Sequence, residues 1–509
     1  MRALFLISCI AFGQDANWTT YSGNFQGHRY SPLQQITKAN VSKLKPLWVY
    51  QIDRTDKFEA TPIVRDGLMF LSEPPSDVTA LETGTGKVLW KYRRVLPDNP
   101  PVCCGKVNRG VALDGDRVFI GTLDAHLVAL DASTGHVIWD ATVADYKKGY
   151  TSTAAPLVIK DLVIIGSAGG EFGVRGYLAA YDKNTGKEVW RTWTVPAVGE
   201  KGSETWKGES YKTGSATTWG NGSYDAALNT LYWGTGNPGP DWNGASRMGD
   251  NLYSNSLLAL DASTGKMKWY FQFTPHDVHD WDSTQVPVLA DLPWKGRMRK
   301  LVLFANRNAF YYVLDRETGE YLLGKQYVKQ SWAEGLDEKG RPIRIDDMEP
   351  SPTGKVVYPN STGATNFQAP SYSPLTKLHY VMTQDQGGVF YSGDDAYKEG
   401  SWFLAGRFIP RPLSPVGGGI LAMDPITGNA KWDFRLIAPS WSGILSTAGG
   451  LVFSATGDGD VLALDDATGK LLWKFPAGGK GFASPVSYLH NGKQQVAIAI
   501  GHSLYVFGL

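Results

Sequence analysis

The sequence is poor in cysteine and carries almost no net charge. Its 509 residues include 3 Cys, and no Cys-x-x-Cys-His segment occurs, which excludes covalent attachment of a c-type haem within this sequence. The 50 Lys and Arg residues offset 49 Asp and Glu residues, so the overall charge gives no support for nucleic-acid binding. No apolar run reaches the ~20 residues that a transmembrane helix needs. We therefore expect neither a nucleic-acid partner nor a transmembrane segment.

Glycine and aromatic residues are abundant instead. The chain holds 58 Gly, 18 Trp and 24 Tyr, a composition that suits many short strands joined by tight turns. Apolar residues make up 42% of the chain and charged residues 19%, which argues against disorder. The composition predicts an all-β protein.

The first residues read as a targeting segment. Arg2 is followed by an apolar run from residue 3 to residue 12, so we predict a signal peptide over residues 1–13. Residues 6–9 also resemble a lipoprotein box, although the apolar stretch before Cys9 is short for lipidation. Export would place residues 14–509, which we expect to form a single propeller domain, in the oxidising periplasm.

One phrase recurs along the chain: apolar-small-apolar-Asp-x-x-Thr-Gly-x-x-x-Trp. In each copy a strand ends at the acidic residue, Thr-Gly completes a tight turn, and the next strand carries the Trp. Glu82 replaces the Asp in the first copy, and Leu323 replaces the Trp in the fifth. The seven copies are residues 79–90, 128–139, 179–190, 258–269, 312–323, 421–432 and 462–473.

Each copy predicts a hairpin, and an alternating apolar run before it supplies two more strands. Four-stranded units repeated in this way predict a β-propeller with tryptophans docking blade against blade. Residues 45–50 resemble a single outer strand with its Trp. Residues 482–509 resemble the inner strands of a blade without an outer strand. Joining them predicts an eighth blade that closes the ring with strands from both termini. Insertions at 200–212 and 385–417 have no readable fold.

Four clusters lie outside the repeat. Residues 276–282 hold two His and three Asp, which suit a metal site, a base or a solvated loop, although no thiolate or third His supports zinc. Consecutive Cα atoms lie ~3.8 Å apart, below the ~4.4 Å of ordinary disulfides, so a Cys103–Cys104 bond would form a strained ring; a reduced buried pair is the alternative. Segments 166–171 and 234–238 are rich in glycine and could be simple turns.

Taken together, these clusters resemble the pyrroloquinoline quinone (PQQ) dependent alcohol dehydrogenases of the methanol and ethanol dehydrogenase family. The resemblance covers nearly the whole chain and is most specific at residues 103–110, 169–176, 234–238 and 276–282. It implies an eight-bladed propeller that holds PQQ in a central funnel, where alcohols are oxidised to aldehydes by hydride transfer to the quinone. Trp219 and a Cys103–Cys104 disulfide would enclose the quinone ring.

The resemblance also implies the residues that contact PQQ. The carboxylate groups of PQQ require cationic and hydroxyl donors from the protein. Arg307 would face the quinone oxygens. The alternative for Arg307 is an ion pair at the end of a strand. Ala168 stands where relatives commonly have serine, so only its backbone could serve. The implied cofactor-binding residues are Glu59, Cys103, Cys104, Arg109, Thr153, Ala168, Gly169, Thr217, Trp219, Arg307, Asn366 and Trp441.

A metal ion is implied beside the quinone, where it would act as a Lewis acid. Glu171, Asn237 and Asp280 would be its ligands, and Asp280 would also be the general base, with Arg307 as the second catalytic residue. Asp282 stands where lanthanide-dependent relatives carry an added Asp ligand, so we favour a lanthanide(III) ion over Ca²⁺. A purely local hydrogen-bonding role for Asp282 is the alternative.

The partners follow from the same resemblance. Without a haem of its own, the chain would pass electrons to a separate soluble cytochrome c. Polyols, sugars or polymeric alcohols are alternative substrates, and the insertions would set the pocket size. A non-catalytic propeller scaffold of the outer-membrane assembly type is a second alternative. The number of subunits stays open, with a homodimer among the options.

Overall fold

The protein is described by a computed structural model over residues 17–411 and 417–509, so the signal peptide predicted at residues 1–13 lies outside the described residues. Within those ranges the regular structure consists of β-strands and short 3-10 helices, and no helix is long and apolar enough to cross a membrane. The 3-10 helices are Val41–Lys43, Tyr146–Lys148, Gly170–Phe172, Ser203–Thr205, Ser210–Thr213, Ala245–Arg247 and Asp346–Met348.

Eight antiparallel sheets form the blades of a propeller, which confirms the predicted fold. Blade 1 comprises Ile63–Arg65, Leu68–Glu73, Asp77–Glu82 and Val88–Tyr92, and blade 2 comprises Ala112–Asp114, Arg117–Gly121, His126–Asp131 and Val137–Thr142. Blade 3 comprises Leu157–Ile159, Leu162–Gly166, Tyr177–Asp182 and Glu188–Trp193. Blade 4 comprises Ser223–Asp225, Thr230–Gly234, Ser256–Asp261 and Met267–Gln272. Blade 5 comprises Val288–Trp294, Arg297–Ala305, Phe310–Asp315 and Tyr321–Gln326. Blade 6 comprises Ser371–Tyr372, His379–Gln384, Gly418–Asp424 and Asn429–Leu436. Blade 7 comprises Leu445–Thr447, Leu451–Ala455, Asp460–Asp465 and Leu471–Pro476.

Blade 8 contains strands from both ends of the described chain. Lys45–Gln51 pairs antiparallel with Ser503–Gly508, the last strand of the group Val486–His490, Lys493–Ile500 and Ser503–Gly508. Tyr30–Ser31 also adds a short parallel strand to Leu445–Thr447 of blade 7. The predicted closure of the ring by N- and C-terminal strands is therefore confirmed.

The repeat phrase links one blade to the next. In blade 2, the Asp131 carboxylate accepts hydrogen bonds from the backbone N–H groups of Ser133 and Thr134 at 3.0 and 2.8 Å, which fixes the turn. Gly135 follows with a φ of 74°, and a Cβ there would lie 2.5 Å from Cε3 of Trp90 in blade 1. The Trp90 indole N–H donates to the Ala132 carbonyl at 3.0 Å. Glycine is required at this position both for the turn and for the neighbouring indole.

The same contact recurs around the ring. Indole N–H groups of the repeat donate to a carbonyl of the following blade from Trp48, Trp90, Trp139, Trp190 and Trp432. Leu323, the exception in the sequence, packs against Gly428 in the equivalent place. The prediction that these tryptophans dock blade against blade is confirmed.

Two additional sheets occur in the long gap around blade 6. One is the hairpin Ala333–Leu336 with Pro342–Arg344, and the other joins Lys355–Val357, Gly387–Ser392 and Gly406–Arg411. Lys355–Val357 precedes the insertion at 385–417, but the other two strands of the second sheet lie within that insertion, whose fold could not be read from the sequence. It brings residues 402–408 to the cavity described below.

Candidate active site

A cavity of about 900 Å³ lies where loops from several blades meet. This volume is within the ~300 to 1,000 Å³ range of typical ligand pockets. The structure brings most of the predicted site residues together there. The predicted residues that line the cavity are Glu59, Cys103, Cys104, Arg109, Thr153, Ala168, Gly169, Glu171, Trp219, Asp280, Asp282, Arg307, Asn366 and Trp441.

Thr217 and Asn237 are the two predicted residues that do not line the cavity. Both are buried directly behind it, and the Thr217 carbonyl accepts the backbone N–H of Gly236 at 2.7 Å. The backbone N–H of Asn237 donates to Asp282 Oδ1 at 2.8 Å. A Cβ at Gly236 would lie 2.6 Å from that same carboxylate oxygen, so the Gly-Asn step allows a close approach to Asp282.

One part of the cavity is acidic. Arg307 is the cation at its centre: its Nη2 lies 3.2 Å from Asp280 Oδ2, and its Nη1 bonds to Asp282 Oδ2. The same oxygen of Asp282 accepts the Trp219 indole N–H at 3.2 Å. Glu171 completes this group, with its Oε1 3.9 Å from the Sγ of Cys104. The ion pair that was the alternative for Arg307 is therefore observed. The Asp282 carboxylate, in contrast, accepts its hydrogen bonds from residues distant in the sequence and not from its own turn.

The loop 276–282 divides its polar residues between two tasks. Asp277 holds the backbone, accepting the N–H of His279 at 2.8 Å and of Trp281 at 2.6 Å. The His279 ring stacks on Trp281 at 4.3 Å, and burial lowers the pKa of His279 to about 3. Asp280 adopts a φ of 60°, a conformation that Asp tolerates better than most residues, and lines the cavity. The carboxylates of Asp280 and Asp282, rather than the histidines, therefore face the site.

Burial perturbs every carboxyl group in this acidic part. It raises the pKa of Glu171 to about 7, and the negative charge of Asp282 adds to that rise. Burial also raises the pKa of Asp241, Asp280 and Asp282 above the usual range of aspartate, and the Arg307 guanidinium partly offsets this for the last two. The ionised cluster is costly unless a cation joins it.

The vicinal cysteines lie beside this acidic part. Their sulfur atoms are bonded at 2.02 Å, so the reduced pair is not the form observed. The Lys57 ammonium donates to the Cys104 carbonyl at 3.0 Å and lies 5.8 Å from the Phe482 ring. A flat, polarizable disulfide therefore forms one wall of the cavity.

Arg109 belongs to the aromatic part of the cavity. Its guanidinium lies 4.9 Å from the Trp219 ring and 4.6 Å from the Phe367 ring. Nη2 pairs with Glu59 at 3.0 Å, and Nη1 donates to the Thr153 hydroxyl at 2.9 Å. Aromatic faces, a guanidinium and a hydroxyl group thus converge on one region.

The segment 168–169 is fixed by its backbone. The Ala168 N–H donates to the Thr151 carbonyl at 2.8 Å, and the Ala168 carbonyl accepts the Thr151 N–H at 3.3 Å, so the backbone that we expect to serve a ligand already pairs within the protein. Gly169 has a φ of 101°, and a Cβ there would lie 1.9 Å from the Gly149 carbonyl oxygen. Close packing of two backbones therefore explains the glycine.

Some lining residues were missed by sequence reasoning. Asp241 and Phe367 stand four residues after Asn237 and one after Asn366, so proximity to the motifs could have flagged them. No comparable signal marks the apolar residues from the insertion, because its fold could not be read. The cavity-lining residues missed include Asp241, Trp242, Phe367, Trp402, Leu404 and Phe408.

The side chains present fit both implied groups. A cluster of hard carboxylate oxygens suits a metal ion of high coordination number. The neighbouring part combines the disulfide, aromatic rings and Arg109, which suits a planar ring bearing carboxylates. A propeller whose axial cavity joins these two environments is the arrangement expected of a quinoprotein oxidoreductase.

Comparison with known proteins supports the same class. Residues 18–338 match the family model of the PQQ glucose/ethanol/alcohol dehydrogenase β-propeller domain. Residues 416–504 match the model of the outer membrane protein assembly factor BamB. A BamB structure from Moraxella catarrhalis superposes with a TM-score of 0.52 at 17% identity, which shows a shared fold alone.

The chain belongs to the family of PQQ-dependent alcohol dehydrogenases. The quinoprotein alcohol dehydrogenase PedH of Pseudomonas putida is 40% identical over 503 residues, covering 94% of this chain and 84% of that protein. The quinoprotein ethanol dehydrogenase of Pseudomonas aeruginosa is 36% identical, covering 95% and 85%. A europium-containing methanol dehydrogenase superposes with a TM-score of 0.93 at 33% identity, covering 97% and 98%. The predicted enzyme class is confirmed, and the scaffold alternative is set aside.

Proposed function

We propose that this protein oxidises alcohols to aldehydes with PQQ held in the axial cavity beside a lanthanide(III) ion. The observation that carries the proposal is the meeting of Glu171, Asp280 and Asp282 with the disulfide and Trp219 in one cavity. Neither the repeat phrase nor blade docking requires these residues to converge. Their convergence supports chemistry at the axis of the propeller.

PQQ when bound supplies an ortho-quinone that accepts the hydride of the alcohol. Asp280 is the proposed general base, because it lines the cavity and its side chain is 22% exposed to it. Arg307 holds Asp280 from Nη2 at 3.2 Å and also bonds to the Ser361 carbonyl, so the carboxylate is oriented before substrate arrives. A cation bound nearby would favour the ionised, proton-accepting form of Asp280.

The number of hard oxygen donors in the acidic part supports a metal ion of high coordination number. Glu171, Asp280 and Asp282 supply three carboxylates, of which Arg307 pairs with two. Asn237 lies behind Asp282 and is the proposed amide ligand. One of the similar structures is a europium-containing methanol dehydrogenase. These features favour a lanthanide over Ca²⁺.

The apolar wall of the cavity supports simple alcohols over polyols or sugars. Trp242, Trp402, Leu404 and Phe408 line it. The wall is held together because the backbone N–H of Trp242 donates to the Leu404 carbonyl at 3.0 Å, and the centroids of the Trp242 and Phe408 rings lie 6.2 Å apart. A hydrocarbon chain gains from burial there, whereas additional hydroxyl groups would lose hydrogen bonds to water.

Electron transfer and location complete the proposal. We propose that a separate soluble cytochrome c reoxidises the quinone, in keeping with the absence of a haem-attachment motif from this sequence. The bonded cysteines support an oxidising compartment, and we propose the periplasm. A relative from Thauera butanivorans is named 1-butanol dehydrogenase (cytochrome c) and is 37% identical.

The test is dye-linked oxidation of 1-butanol by purified protein stripped of ligands and then supplied with PQQ and metal. We expect the dye to be reduced and butyraldehyde to form in equal amounts only when PQQ and the metal ion are both added. An equal rate without PQQ, or none with PQQ and either La³⁺ or Ca²⁺, would contradict the proposal. Glycerol and glucose serve as comparison substrates. A kcat/KM higher for either of them than for 1-butanol would show that polyols or sugars, rather than simple alcohols, are the preferred substrates.

A further inference from the structure

Asp241 is a cavity-lining carboxylate to which the family resemblance assigns no role. It is 3% exposed and lines the cavity together with Glu171, Asp280 and Asp282. Arg307 pairs with Asp280 and Asp282. Among the described residues, no Lys, Arg or His nitrogen lies within 4.0 Å of the Asp241 carboxylate oxygens. An aspartate buried in this way is neutralised either by a proton or by a cation from outside the protein.

The loop that carries Asp241 is firmly held. Two guanidinium nitrogens of the buried Arg247 donate to the Pro240 carbonyl at 3.1 and 2.8 Å. On the other side of Asp241, the Trp242 N–H donates to the Leu404 carbonyl. The carboxylate is therefore presented to the cavity by neighbours that are fixed on both sides of it.

The hydrogen bond of Asp241 points to the same site. Its Oδ1 accepts the side-chain amide N–H of Asn237 at 3.0 Å. Because the amide nitrogen is engaged in this way, the carbonyl oxygen of the Asn237 side chain is the atom left for a metal ion. Asp241 thus contacts one proposed ligand and lines the same cavity as the others.

We propose that Asp241 is a fourth carboxylate of the cation site and raises its preference for trivalent over divalent ions. This inference rests on the proposed cation-dependent function. Four carboxylates against one guanidinium leave a local charge of about −3 when all are ionised, which a trivalent ion neutralises and a divalent ion does not. The test must separate this charge from the positioning of Asn237.

Asp241→Asn makes that separation, because asparagine keeps the size and an oxygen that can accept the Asn237 amide while removing the charge. The protein, loaded with PQQ, is titrated with Tb³⁺ and followed by luminescence sensitised by nearby tryptophans, and La³⁺ and Ca²⁺ then compete. Coulomb energy scales with ion charge. We therefore expect affinity to fall about 30-fold for La³⁺ and about 10-fold for Ca²⁺.

Asp241→Glu retains the charge and should keep most of the La³⁺ preference, even if overall affinity changes. Asp458→Asn is the matched control, because Asp458 lines the same cavity but is exposed to solvent. Thermal melting checks that each variant folds. An unchanged affinity, or an equal loss for both ions, in folded Asp241→Asn would overturn the inference while leaving the proposed function intact. Wild-type protein that binds neither ion would overturn both.

Discussion

The outer edges of the blades and the axial cavity are built in opposite ways. At the edges one phrase is used repeatedly, so that Trp90 meets Gly135 as Trp48 meets Gly86 in the blade before. The residues that line the cavity follow no such phrase, and the blades and the insertion contribute different segments to it. Repetition maintains the ring, whereas departures from the repeat supply the chemistry.

Replacing Asp280 should have the largest effect on turnover and should leave the stability of the blades unchanged. Asp280→Asn removes the proposed base while keeping the size of the side chain, so we expect kcat to fall at least ~10³-fold. PQQ binding, measured by absorbance titration, should change little. Persistent turnover would remove Asp280 from the base role, and a collapse in thermal stability would show that it holds the fold instead.

Replacing a docking tryptophan should have the converse effect. Trp90→Ala deletes an indole that packs under Gly135 and donates to Ala132, so we expect a loss of about 3 kcal/mol in the free energy of unfolding. Turnover per folded molecule should be unchanged. Leu323→Ala is the matched variant, because Leu323 lacks the indole hydrogen bond, and its expected loss is about 2 kcal/mol. Denaturant unfolding of both variants checks that Trp90→Ala loses more free energy of unfolding than Leu323→Ala.

The apolar wall offers a smaller test of the cavity. Trp402 is 52% exposed and lines the cavity, and its ring packs at a tilt against that of Phe172 with the centroids 5.0 Å apart. Trp402→Ala should lower kcat/KM for 1-butanol about 10-fold and for ethanol less, because the longer chain loses more apolar contact. A parallel fall for both alcohols would show that Trp402 does not contact the chain of the substrate.

The smallest expected effect is a pH dependence of stability. The folded-state pKa of Glu171 is raised by burial from 4.5 to about 7, so its contribution to stability is full below pH 4.5 and is lost as the pH rises through about 7. Bound La³⁺ requires the ionised carboxylate and should therefore raise the melting temperature by several degrees more at pH 8 than at pH 5. An equal increase at both pH values would exclude this linkage.

The repeat made most of the fold predictable from the sequence. Each of the seven copies of the phrase defines its own turn and its own docking contact, so seven blades follow from local patterns. The eighth blade and the closure follow from joining the unmatched strands at residues 45–50 and 482–509. Loop 276–282 could be identified from its carboxylates, yet the division between Asp277 as a backbone clamp and Asp280 as a cavity residue depends on tertiary packing.

The remaining parts of the site depend on contacts that no local pattern records. Trp402 comes from an insertion whose strand Gly387–Ser392 pairs with Lys355–Val357, about 30 residues earlier in the chain. Asp241 differs from an ordinary loop aspartate because the fold buries it beside other carboxylates. The sequence predicts that only the backbone of Ala168 can serve a ligand, but pairing with Thr151 already uses its N–H and its carbonyl.

The most direct test of the account is the choice of metal. Ligand-free protein supplied with PQQ is assayed for alcohol oxidation with La³⁺ or Ca²⁺, alongside Asp282→Ala. We predict strong activation of the wild type by La³⁺ and weak activation by Ca²⁺, with that preference lost in the variant. Activation by Ca²⁺ alone would contradict the trivalent site, and no activity with either ion would contradict the assignment of chemistry to the axial cavity.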